Sequence, residues 1–147
     1  MEILVVILTA IAATTLMTLF SFILSDIRKK QFREPILLTK IIGSANILRT
    51  ETQEQVTAWG IHYFIGLLFI IGYHLLFQGA YFDPTWFAAA VLGFASGAIG
   101  IIGWRLIFKF APKAPRVNFV EYYTQLFVAH IIFAFSAIAI YKLYAAY

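Results

Sequence analysis

Few side chains in this sequence are equipped for chemistry, and most of those few stand in apolar surroundings. His62, His74 and His130 lie inside runs that lack Asp, Glu, Lys and Arg, Gln125 and Tyr122 precede His130 in the same run, and Arg105 follows Trp104 at the end of another. Ionisable groups in such runs are costly in lipid and face a bundle interior or a cavity, which makes them the first functional candidates. At about 1.5 Å of helical rise per residue, His62, Arg105 and His130 fall at similar depth, near the basic connections between runs. His74 stands one helical turn from Gln78 and belongs near the opposite end. The candidate ligand-binding set is therefore His62, Arg105, His130, Gln125 and Tyr122, with Tyr123 as the alternative to Tyr122. Together they would form a cytoplasmic-side polar pocket for a phosphate, carboxylate or quinone head, the guanidinium supplying a fixed charge and a bidentate donor. The competing reading of the same residues is interhelical hydrogen bonding, with Arg105 snorkelling to lipid headgroups.

Other chemistries lack their parts. The sequence has no cysteine, so thiolate metal sites, disulfides and thioester catalysis are absent. No HExxH or histidine-rich box occurs, no carboxylate lies deep in an apolar run, and Glu121 is the one acidic residue close to an inner edge. No metal site and no catalytic residue is expected on this basis, and cation-coupled transport lacks its usual acidic carrier. Phosphate-binding glycine loops, dinucleotide fingerprints and nucleophile elbows are also missing. Haem b is the one cofactor left open, because two histidines on facing helices suffice to ligate it.

The elements that must position these residues follow from composition. The chain has 147 residues, of which 62% are hydrophobic and 12% charged, and its mean hydropathy is +0.86. So much apolar surface exceeds what a body of this size can bury, so the expected solvent is lipid. Four runs approach the roughly 20 apolar residues that cross a hydrocarbon core. The expected fold is a single all-α membrane domain over 1–147, a four-transmembrane-helix bundle with spans near 3–25, 56–79, 84–108 and 119–144. Ten of the eleven basic residues lie in or beside two connections, the stretch 26–55 and the stretch 105–121. The positive-inside rule then puts those connections in the cytoplasm and both termini outside, as in a multi-pass protein of a bacterial inner membrane. Trp59 and Trp104 at one end, and Tyr81, Trp86, Tyr141 and Tyr144 at the other, suit interfacial belts. The formal charge of +4 thus reads as topology, and no nucleic-acid partner is expected.

Local signals add detail. Thr52 with Gln55 and Asn118 with Glu121 read as helix caps, and Asp83-Pro84 as an N-cap followed by proline at the first helical position. Within 35–48, Leu37, Leu38, Ile41, Ile42, Ala45 and Leu48 share one side of a helical wheel, opposite Thr39, Lys40, Gly43, Ser44 and Asn46. This predicts an amphipathic interfacial helix, with Arg28, Lys29, Lys30, Arg33 and Lys40 reaching anionic headgroups; the alternative is a helix packed on the end of the bundle. Gly93, Gly97 and Gly100 on one helix, and Thr14, Thr18 and Ser21 on another, form small-residue stripes that serve as packing seams. Because packing and anchoring features are the most developed, the leading expectation is a non-enzymatic subunit or assembly helper, bound to membrane lipids and to a second copy or a membrane-protein partner. A small transporter, or a protein binding a lipid, quinone or anion in the inner pocket, is the alternative, and a haem-binding redox subunit the third.

Overall fold

A computed structural model describes residues 2–145. Five helices follow one another: α1 (Glu2–Arg28), α2 (Glu34–Ser44), α3 (Glu51–Gln78), α4 (Trp86–Phe110) and α5 (Phe119–Ala145). No strand occurs among the described residues. All but α2 are long and apolar enough to cross a membrane, and a continuous helix satisfies its own backbone there. Their outward faces carry Leu16, Leu19 and Ile23 on α1, Phe64 and Leu68 on α3, and Phe94 and Ile102 on α4, all exposed. Apolar area on that scale is stable only against lipid or another protein.

Several helix boundaries differ from the sequence expectation for reasons visible in the caps. The α3 cap is Thr50, not Thr52: its side chain accepts from Gln53 N, and the Gln53 side chain in turn accepts from Arg49 N. This extends the helix toward the basic connection. At α4 the cap is Thr85, which accepts from Ala88 N at 3.1 Å, so Pro84 precedes the helix instead of opening it. The Asn118 cap forms as expected, with Asn118 Oδ1 accepting from Glu121 N at 3.2 Å. After α1 the chain reverses through Lys29, which adopts a left-handed φ of 54° while Lys30 N returns to Ser25 O. This is the helix-ending geometry usually assigned to glycine.

In cross-section α5 lies between α1 and α4, α3 packs on α1, and α2 folds back against α3. Alanines make the α1–α5 seam close: Ala10 and Ala13 are buried on α1, and Ala129, Ala134 and Ala137 on α5. Close backbone approach through small residues is how helices associate without a hydrophobic drive. The α4 stripe likewise meets α5, since an added Cβ would lie 3.0 Å from Ile131 Cα at Gly93 and 2.7 Å from the Phe127 ring at Gly97. That face is therefore occupied within the chain.

Two cores result. One, toward the Asp83 end, joins Met17, Ile70, Tyr73, Leu92 and Phe133; the other, toward the basic end, joins Phe32, Leu37, Ile41, Phe108, Tyr122 and Leu126. The second core includes α2, whose Glu34, Pro35, Leu37 and Ile41 are buried. The helix is shorter than the expected 35–48, and the side expected to meet a lipid surface packs largely on the bundle. Lys40 remains exposed.

Candidate functional site

Between the two cores the helices separate. Tyr73 Oη donates to Ser96 Oγ at 2.9 Å, tying α3 to α4 toward the Asp83 end. Below that contact the pair has no broad interface, and a cavity of about 190 Å³ opens between them. Its walls are mostly apolar: Ile61, Ile65 and Phe69 come from α3, and Ile99, Trp104 and Ile107 from α4, with α1 and α5 behind and Leu38 of α2 at the basic end. Ile61, Ile65 and Ile99 also have exposed outer surfaces, so the α3–α4 gap faces the surrounding solvent, sideways to the helix axes.

The polar groups in this apolar chamber are Thr14, Glu34, His62 and His130. Glycines admit them. A Cβ at Gly100 would lie 2.6 Å from His130 Cε1, and one at Gly66 would lie 2.0 Å from Thr14 Oγ1. Gly103 is different, because a Cβ there would meet nothing within 4 Å.

Hydrogen bonds assign the tautomer of each ring. Thr18 Oγ1 donates its one proton to Thr14 O at 2.7 Å. At its 2.8 Å contact with His62 Nε2, the hydroxyl must therefore accept, and Nε2 carries the hydrogen. His130 Nδ1 lies 2.8 Å from Leu126 O; a carbonyl only accepts, so Nδ1 is the protonated nitrogen. His62 Nδ1 and His130 Nε2 are left as bare acceptors without a partner among the described residues. Oriented imidazoles of this kind also suit metal ligation. Among the described residues, however, no three of His, Cys, Asp and Glu are grouped to hold an ion.

Glu34 was not singled out by the sequence reading, which considered only Glu121 among carboxylates. It opens α2, is 1% exposed, and its Oε1 accepts from Ser21 Oγ at 2.8 Å and from Gln125 Nε2 at 3.1 Å. Its Oε2 has no partner among the described residues. Removal from water outweighs these bonds and pushes its pKa from 4.5 up to about 7. Glu121 has a surface role instead, paired with Lys30 at the foot of α1 and α5.

The expected set divides. His62 and His130 share the cavity, although they stand on α3 and α5, and the Phe69 ring of α3 lies 5.6 Å from that of His130. Arg105 is exposed on α4 and does not line the chamber, so the fixed positive charge expected in the pocket is absent from it. Tyr122 is buried against Trp104 and Phe108, while Gln125 faces Ser21 and Glu34. His74 meets Tyr141 Oη at 3.3 Å, in the half of the bundle away from the basic connections. The α1 stripe proves polar in use as well as small: Thr18 holds His62, and Ser21 holds Glu34. Of the basic cluster, Lys30 and Arg33 are engaged with Glu121 and Asp26, and Arg28, Lys29 and Lys40 are exposed. Comparison with known proteins adds no template, as no family model, no curated protein and no solved structure matches the chain.

Proposed function

We propose that this chain is a non-enzymatic membrane protein that binds a lipid-soluble small molecule. The ligand enters sideways from the bilayer between α3 and α4. The observation that carries this reading is the chamber itself, apolar-walled and furnished with two imidazole acceptors that no group among the described residues uses. Such a site matches the general form of a small-molecule pocket, in which apolar walls supply affinity and a few polar groups fix orientation. In this proposal the basic connections lie in the cytoplasm of a bacterial cell, both termini lie outside, and the chamber occupies the inner half of the membrane.

Gly103 provides the test, because it lines the chamber and has open space before it. Gly103→Phe is expected to leave thermal stability unchanged and to abolish retention of a copurifying ligand, read by native mass spectrometry after mild extraction. Gly72→Phe, also facing open space but outside the chamber, should retain it. Equal retention by both variants would refute the pocket, and a visible absorption band would replace it with haem. A subunit role is the second reading. It is favoured by α3, on which only Ala58, Gly66, Ile70 and Tyr73 are buried, and a protein partner that survives extraction would support it.

A further inference from the structure

We infer that the head of the ligand is a neutral hydrogen-bond donor, a hydroxyl, whose proton is accepted by one of two bare nitrogens, His62 Nδ1 or His130 Nε2. This inference rests on the chamber reading above and specifies its chemistry. Both acceptors follow from fixed partners. Reversing the His130 tautomer would set a bare nitrogen against the Leu126 carbonyl, two acceptors 2.8 Å apart. Reversing His62 would require Thr18 to give up its bond to Thr14 O. The chamber is thus wired to accept.

Other heads fit less well. No lysine or arginine lines the chamber, so an anion would be desolvated there without a counter-charge. A head with carbonyl or ether oxygens alone offers acceptors to acceptors and leaves both imidazole lone pairs buried and unmet, the costly arrangement. Hydroxyl-bearing amphiphiles such as quinols, isoprenols and alkylphenols give a proton to one of the histidines and place their apolar bodies along the α3–α4 gap.

A matched pair of probes separates these cases. 4-Decylphenol and 4-decylanisole differ by a hydroxyl against a methyl ether, with the same ring and chain. In equimolar competition read by native mass spectrometry, the phenol should occupy the protein about tenfold or more over the anisole. That preference should collapse in His130→Phe. Equal occupancy by both probes would overturn the donor inference while leaving the chamber reading intact, whereas no occupancy by either would overturn the chamber reading itself. A 4-decylbenzoate anion or a decylammonium ion that displaces the phenol would overturn the neutrality of the head. Because His130→Phe removes a buried ring, imidazole 15N NMR of the unmodified protein supplies an independent check. Each ring should show one protonated and one bare nitrogen, with a bare signal shifting on addition of the phenol. Bare nitrogens that ignore it would count against the inference.

Discussion

Gly93→Leu is expected to cost more stability than any other single substitution in the α4 stripe. An added Cβ there lies 3.0 Å from the Cα of Ile131 and 3.3 Å from the Cβ of Ala134, so what it strikes is the α5 backbone and the root of a side chain. Neither moves unless the helix moves. α5 is the one helix with which α4 shares a broad interface. Forcing the pair apart should therefore loosen the Tyr73–Ser96 tie as well, and the loss should reach about 3 kcal/mol, the upper range for overpacking. Gly97→Leu meets the edge of the Phe127 ring at 2.7 Å; a ring can turn, so its loss should be smaller. Gly72→Leu meets nothing within 4 Å and should be close to neutral. Thermal unfolding in one detergent ranks the three. A Gly93 variant that melts with the Gly72 variant would show that α4 does not seat on α5 through this stripe.

The stripe is legible because small residues at helical spacing in an apolar run have one main use in lipid, but nothing in their spacing indicates which helix covers it. The four long helices were legible for the same kind of reason. Charge-free length is a one-dimensional property, and the runs seen in the sequence correspond to α1, α3, α4 and α5. Caps were less legible, because Thr50 and Thr52, or Asp83 and Thr85, offer equivalent side-chain oxygens within two residues, and the choice depends on the approach of the incoming chain.

For the candidate site, depth could be counted but facing could not. His62 and His130 were placed at one level by their distance from charged edges, and they do share a chamber. Arg105 has the same depth, yet it is exposed and lies outside the chamber, and rotation about a helix axis is fixed by packing alone. Glu34 was missed for a different reason. It lies in a charged connection beside Arg33, where a carboxylate is normally solvated. Its burial is created by α2 folding back so that Leu37 and Ile41 join Tyr122 and Leu126. A helical-wheel pattern cannot distinguish an apolar face that meets lipid from one that meets protein. One signal was present all the same: Ser21 and Gln125 are polar residues inside apolar runs, and each needed a partner.

Substituting Glu34→Gln should remove a pH dependence from the docking of α2. Burial raises the carboxyl from 4.5 in water to about 7 in the folded chain, so the docked helix favours the protonated form. The sign follows from linkage. The stabilisation is complete below pH 4.5, declines between 4.5 and about 7, and above that range the docked helix holds a buried carboxylate. The gap between the two values is worth roughly 3 kcal/mol. Hydrogen exchange of the α2 amides, corrected for intrinsic rates, should therefore accelerate by roughly 100-fold between pH 4.5 and 8 in the unmodified chain. In Glu34→Gln the amide oxygen still accepts from Ser21 and Gln125 but does not titrate, so the profile should flatten and protection at pH 8 should rise. The neighbours do not mimic this behaviour. A free tyrosine titrates only near pH 10, the pairs Lys30–Glu121 and Arg33–Asp26 are intact in both proteins, and His62 is common to both. Identical exchange profiles for the two proteins would mean that Glu34 reaches water, and that α2 does not seal the basic end of the chamber.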